Sequence, residues 1–291
     1  MADDAGLDVE VLTNEFGRLL DAFVPRGTSA ESIGVAADGL WDAVIEGGWL
    51  GLTEPGILDG ADLSLLDIAR FAVLWGRNLG SLPYVETLLA HRWKGQDAFA
   101  AGAAVTVALA AKEQVMTPRA IGPVQVLADA VAPGQVTLTA SPAHTETVDD
   151  FAPSLVVGLG GHASNLSETQ RAELRGLLAA EALGAAEECF RRAFEHAQIR
   201  IAYGRPISAF QAMRHLIADM HTDLDFAKTA LYWALHSEGE ENRTASTLCA
   251  QMCTRVGGNA FHIFGGMAFT WDLGLHLYQR HIEAVRDLVA A

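Results

Sequence analysis

The sequence predicts a mainly α-helical protein with a small β region, and three observations carry that prediction. Apolar residues recur at three and four residue steps through the first hundred residues and again from about residue 166 onward. Between these parts lie short β-favouring runs split by turn residues, with five of the nine prolines falling between residues 118 and 153. After a long alanine-rich segment the helical pattern repeats near 209–236, 242–264 and 272–289, which is the material of a four-helix bundle. The expected division is an N-terminal helical domain over 1–100, a reduced β domain over 101–163 and a C-terminal helical bundle over 164–291.

Taken in order, Leu7, Val11, Leu12, Phe16, Leu19, Leu20 and Phe23 share one helical face, and Pro25 with Gly27 stops that helix. Thr28 with Glu31 is a capping-box signature for a second helix whose stripe is Ile33, Leu40, Trp41, Val44 and Ile45, closed by Gly47-Gly48. Ser64 with Asp67 opens a third helix carrying Leu65, Ile68, Phe71, Leu74 and Trp75, and a fourth follows Pro83. The β-favouring runs are Val105 to Leu109, Val124 to Leu127, Val136 to Thr139 and Leu155 to Val157. Ser167 with Gln170 then caps a long helix reaching to about Ala202, where Pro206 interrupts the chain. No repeat of 20 to 50 residues is present.

Composition excludes several function classes. The 291 residues carry 20 Lys and Arg against 36 Asp and Glu, a net charge of −16, so phosphate-backbone binding has little to work with. Half the residues are hydrophobic, which excludes general disorder, and the longest apolar stretch, Ala98 to Ala111, is too short to span a bilayer. The acidic opening Met1-Ala2-Asp3-Asp4 does not read as a signal peptide. Three cysteines without framework spacing predict a reduced, cytoplasmic protein, with Cys249 and Cys253 as buried apolar residues instead of half a metal site.

Several motifs carry little. Gly158-Leu-Gly160-Gly-His-Ala163 has a dinucleotide-fingerprint form, but a Rossmann unit needs a second strand and an acidic ribose ligand, so a linker is the better reading. A nucleophile elbow, a P-loop and a zinc-binding helix motif are absent from the sequence. His215 with His221, and His276 with His281, lack a Glu spaced to act as base and read as solvated or core histidines.

The informative stretch is Arg200-Ile-Ala-Tyr-Gly-Arg-Pro-Ile-Ser-Ala-Phe-Gln211, followed by Ala218-Asp-Met220. A second is Phe261-His-Ile-Phe-Gly-Gly-Met-Ala-Phe-Thr-Trp271, with Leu275-His-Leu-Tyr278 and Arg280. Together they resemble the C-terminal bundle of the acyl-CoA dehydrogenase family over about Leu166 to Arg280. Gly48-Trp-Leu-Gly-Leu-Thr-Glu-Pro55 and Leu65-Leu-Asp-Ile68 resemble the family's first helical domain less closely. The resemblance implies FAD at a subunit interface, with its adenine and pyrophosphate half held by this bundle. Arg200 matches the arginine that meets the pyrophosphate, a role suited to several donors on one charged group. Gly265 and Gly266 match the backbone approach to the cofactor, and Tyr203, Ile207, Gln211 and His262 match positions near the same half. Without the resemblance, Arg200 reads as a helix-end cation.

The departures matter as much. His262 stands where the family has glutamine. The family's carboxylate base, which takes the α-proton of an acyl-CoA thioester while hydride leaves the β-carbon, falls at Val289 or at Leu174 on counting from the matched arginines. Glu173 is one helical step from the second position and reads as a surface glutamate on another face. Thr53-Glu-Pro-Gly56 looks like the family's flavin-contacting opening but precedes the third helix, so it reads as coincidence, and the region 101–163 lacks a counterpart of the flavin contacts. No residue of this chain is assigned a catalytic role. The chain is therefore expected to resemble the shorter accessory subunit of actinobacterial α2β2 acyl-CoA dehydrogenases, which often act on steroid side-chain thioesters. Its partner would be a related chain carrying the base; an acyl-CoA is the expected substrate and an electron-transferring flavoprotein the family's usual acceptor. Two other readings stay open: a non-enzymatic scaffold that keeps the fold without FAD, and a homodimeric flavoprotein in which Glu173 or another carboxylate acts.

Overall fold

The structure, a computed structural model, describes residues 8–24, 39–54, 62–80, 82–99, 101–107 and 166–290, together with strand residues 109–111, 114–117, 124–127, 136–138 and 155–157. The Thr28–Glu31 cap, the start of the second helix and the 158–163 glycine motif lie outside the described residues. The fold is that of a mainly helical protein with a small β region, as the periodicity predicts.

Helix α1 (Val9–Phe23) begins at Asp8, whose carboxylate accepts from the Glu10 N–H, and buries Phe16 and Leu20. Residues 39–46 are helical (α2). Helix α3 (Leu65–Arg77) opens with the expected reciprocal cap: Ser64 accepts from the Asp67 N–H while Asp67 accepts from the Ser64 N–H. Helix α4 (Tyr84–Lys94) is buried along its length from Tyr84 to His91. Phe16 is the hub of this half, with Tyr84 and Trp49 rings each 5.1 Å away and Phe71 at 5.5 Å. Two polar tips in the cluster have partners: Trp75 Nε1 donates to Leu82 O and the Tyr84 hydroxyl to Trp49 O.

The β region holds strands β1 (Ala104–Val107), β2 (Leu109–Ala111), β3 (Gln114–Thr117), β4 (Val124–Leu127), β5 (Val136–Leu138) and β6 (Leu155–Val157). They form two three-stranded sheets, β1-β4-β5 and β2-β3-β6. Strand β1 runs parallel to β4, with Ala104 opposite Val124, and the other pairs are antiparallel. Strand β3 is an addition to the sequence reading, because Gln114 and Thr117 break its apolar run.

Helix α5 (Glu168–Ile199) is the axis of the molecule. Its 32 residues open on the predicted Ser167–Gln170 cap and bury 18 residues, many of them alanine. Small side chains on every face let α3 and the three following helices, α6 (Gln211–Leu235), α7 (Gly239–Phe264) and α8 (Leu275–Ala290), pack around it. The connections are short, so neighbours alternate in direction. Asn242 Nδ2 ties one end by donating to Ala172 O and Ala234 O. His196 stacked on Phe264 at 4.4 Å ties the other.

One local reading changes. Helix α5 ends at Ile199, and the stretch read as a proline interruption is a small hairpin, β7 (Ile201–Ala202) with β8 (Arg205–Pro206). Its turn has φ of 51° at Tyr203 and 78° at Gly204, the doubly left-handed form that suits two-residue hairpins. His281 is a core histidine, one of the two forms expected: its Nε2 lies 2.9 Å from Glu181 Oε1 between α8 and α5, both groups buried. Cys189, Cys249 and Cys253 are free and buried in the bundle, as expected of apolar fillers. Among the described residues, no group of three or more His, Cys, Asp or Glu is placed to hold a metal, and no helix is long and apolar enough to cross a membrane.

His91 gives this half a pH dependence. Its Nδ1 is 3.3 Å from Leu50 O and its ring faces Phe99 at 5.6 Å. Burial lowers its pKa, outweighing the Leu50 carbonyl and the Glu54 charge, which raise it. The unfolded chain therefore takes up a proton below about pH 6.5 that the folded chain resists, so stability is full above that pH and falls as pH falls. His91→Gln keeps a donor for Leu50 O without titrating. Thermal melts at pH 7.5 and 5.5 are expected to show a smaller loss of Tm for the variant than for the wild type.

Candidate functional site

Alternating helix direction gathers the end of α5, the start of α6, the end of α7 and the start of α8 at one end of the bundle. All seven residues singled out in the sequence lie there. Arg200, Tyr203 and Ile207 belong to the α5–α6 connection and Gln211 opens α6, while His262 lies in the last turn of α7 with Gly265 and Gly266 just past its end. The His196–Phe264 stack joins the two groups.

Arg200 is the C-cap of α5: its N–H donates to His196 O and its carbonyl accepts from Ile207 N–H, both at 2.9 Å. Its side chain is exposed, and among the described residues it makes no ion pair or hydrogen bond to a helix carbonyl. The guanidinium is thus not used up as a helix-end cation. Burial lowers the pKa of His196, and the Arg200 charge lowers it further, keeping that ring neutral at neutral pH. Tyr203 stands on the hairpin turn at 96% exposure, backed by the edge of Phe210 at 6.2 Å. Arg205 also packs on Phe210, its Cζ 4.2 Å from the ring centroid. Gln211 Nε2 is 3.1 Å from His215 Nε2.

Across the end, His262 Nδ1 is 3.0 Å from Gly258 O, which makes Nδ1 a donor to that carbonyl. Gly265 has φ of 61° and terminates α7, a position that favours glycine. Gly266 differs. It lies outside the left-handed region and a Cβ there would meet nothing within 4 Å, so the fold of this chain does not itself require glycine.

The α5–α6 side of this end is positively charged within an acidic chain. From His196 to Ala218 there are three arginines (Arg200, Arg205, Arg214) and no carboxylate. Sequence reasoning singled out only the first of these; a charge census along the chain would have found the others. Arg214 Nε donates to Ser208 O and borders an apolar cleft of about 470 Å³ between α5 and α6, lined by Phe190, Phe194, Ile217 and His221. Ile199, Phe269 and Trp271 are also exposed at this end, at 75%, 71% and 53%.

The two positions where a carboxylate base was sought are closed. Leu174 is 1% exposed and Val289 fully buried, both packed in the core. Glu173 corrects the sequence reading of a surface residue: Trp93 Nε1 donates to its Oε2 at 2.5 Å, and Arg92 Nε lies 3.7 Å from its Oε1. It clamps the end of α4 to the start of α5, near a cleft of about 310 Å³ that Thr169, His236 and Glu238 also line.

At the level of this helical bundle with its open, arginine-bearing, glycine-turned end, residues 165–287 match the model of the acyl-CoA dehydrogenase C-terminal domain. Relatives include the acyl-CoA dehydrogenase IpdE2 of Mycobacterium tuberculosis, 33% identical over 39% of this chain but only 36% of that protein. IpdE2 of Mycolicibacterium smegmatis is 26% identical over 92% of this chain and 91% of its own length. In structure the chain is similar to the ChsE4–ChsE5 complex of Mycobacterium tuberculosis, with a TM-score of 0.70 at 19% identity over 96% of this chain and 93% of that one. It is also similar to the Tcur3481–Tcur3483 steroid ACAD variant, with a TM-score of 0.69 at 18% identity over 98% and 95%. At these identities the structural likeness speaks for the fold.

Proposed function

We propose that the chain is a subunit of a heteromeric FAD-dependent acyl-CoA dehydrogenase, with the catalytic base on a related partner chain in an α2β2 assembly. One observation carries this reading: both positions where the family carries its base are buried apolar core, while the open end of the bundle keeps an arginine unpaired among the described residues, beside a glycine turn. FAD bound there would supply the acceptor for the hydride that leaves the β-carbon of a CoA thioester.

The residues of this end suit the adenine and pyrophosphate half of the cofactor. Arg200 offers several donors to a diphosphate without first breaking an ion pair to any described residue. Gly266, which the fold leaves free to carry a side chain, is explained by backbone approach to a ligand. Tyr203, Ile207 and Gln211 border the same space, and His262 stands in place of the family's glutamine. The absence of carboxylates from His196 to Ala218 favours an anionic occupant. Likeness to a steroid ACAD supports a bulky steroid side-chain thioester as substrate, and likeness to the ChsE4–ChsE5 complex supports a two-chain assembly. We assign an electron-transferring flavoprotein as acceptor and the reducing cytosol as location, which suits three free buried thiols.

Placing the base on the partner makes Glu173 a structural clamp. In the assembled enzyme, Glu173→Gln retains an acceptor for Trp93 and is expected to keep kcat within about twofold and its pH profile unchanged, whereas loss of a general base costs about 10²-fold or more. A steady-state rate profile measures this, and a fall of that size would put the base on this chain.

A further inference from the structure

Arg192 lies on α5, two turns before Arg200, and is 7% exposed. Its Nε donates to Glu188 Oε1 and its Nη1 to Leu273 O, both at 2.8 Å. Its Cζ sits 4.9 Å from the centroid of Tyr278, whose hydroxyl donates to Arg77 O at 3.3 Å. Glu188, 1% exposed, also accepts from Nε and Nη2 of Arg191. Although burial raises the pKa of Glu188, the hydrogen bonds and charges of Arg191 and Arg192 bring it below the ordinary value, so the pair is charged at neutral pH.

A buried ion pair is weak as a source of stability, and apolar side chains of similar volume often replace one at no cost. What a guanidinium adds here is a directed bond to the carbonyl of Leu273, inside the connection that follows Gly265-Gly266. The backbone bonds within that connection are local: Thr270 N–H to Met267 O, Gly274 N–H to Thr270 O, and Leu277 N–H to Gly274 O. Met267, Phe269 and Trp271 are exposed at 49%, 71% and 53%, while Ala268 is buried and Leu273 packs against the core, so the Arg192 bond adds a directed tie at a residue whose side chain is already seated.

We infer that Arg192 is a positioning residue: it ties the 265–274 segment to α5 and so holds the Gly265–Gly266 backbone at a fixed distance from Arg200 on the same helix. The inference rests on the proposed function for the identity of the ligand, FAD. It extends the site inward to a residue that touches no cofactor.

The test uses the complex of this chain with its partner. Arg192→Lys keeps a positive charge opposite Glu188 but cannot also reach Leu273 O. Amide exchange at Thr270, Gly274 and Leu277 is expected to quicken about tenfold while α6 amides are unchanged, and FAD is expected to bind about tenfold more weakly. Unchanged exchange at those amides, or faster exchange with unchanged FAD affinity, would overturn the inference. If the variant does not assemble, the wild-type complex decides: with rising urea, the three amides should open together with the middle of α5, and opening at lower urea than α5 overturns it. A wild-type complex that binds no FAD defeats the functional reading, while the exchange of the three amides still decides the anchoring by itself.

Discussion

Gly184→Ala is expected to destabilise the fold by about 3 kcal/mol, because overpacking at a site that cannot relax costs at the upper end of the usual range. A Cβ at Gly184 would lie 1.9 Å from Val73 O, and one at Gly76 would lie 1.9 Å from Glu181 O. Both obstacles are backbone, so no side-chain rotation relieves them. Helices α3 and α5 touch main chain to main chain here, and the N-terminal half meets the bundle through this crossing. Separating the helices by even part of a methyl radius would also disturb Tyr278, whose hydroxyl reaches Arg77 O, and the Arg77–Glu187 ion pair at 2.5 Å. Thermal or urea unfolding of the complex measures the loss, with a fall in Tm of roughly 6 °C or more. Gly258→Ala is the matched control. A Cβ there meets nothing within 4 Å inside α7, so it should leave Tm unchanged or raise it.

Arg200→Ala is expected to weaken FAD binding by about 10²-fold in the assembled complex, since charge-assisted hydrogen bonds to a diphosphate are among the stronger polar contacts. The side chain makes no ion pair among the described residues, so folding should be untouched: Tm of the flavin-free complex should match wild type. That separation makes the variant diagnostic. Flavin absorbance titrated against the complex gives the affinity. Unchanged affinity would favour a scaffold that keeps the fold without FAD.

Much of this architecture can be read from local sequence. Ser64 with Asp67 and Ser167 with Gln170 announce helix starts because capping needs only neighbours within four residues. The apolar stripes containing Phe16 on α1 and Phe71 and Trp75 on α3 likewise mark the core directly. The hairpin at Ile201–Pro206 is hidden because Pro206 reads as a breaker, and its formation depends on left-handed backbone at Tyr203, a residue that seldom adopts it. Strand β3 is hidden because Gln114 and Thr117 dilute its apolar pattern. The site divides in the same way. Its seven residues follow from two motifs, whereas the clamp on Glu173 depends on Trp93, 80 residues away, the Glu181–His281 contact joins distant helices, and the Arg192–Leu273 bond joins α5 to the α7–α8 connection. Spacing along the chain carries no trace of such pairs.

The central claim is that this chain holds part of a flavin site and lacks the base. The most direct test is to purify it alone, to purify its related partner alone, and to reconstitute the two, assaying flavin content and dehydrogenation of a steroid side-chain CoA thioester each time. The isolated chain should be colourless and inactive, and the reconstituted complex should bind FAD and turn over. Stoichiometric flavin with dehydrogenase activity in the isolated chain would contradict it.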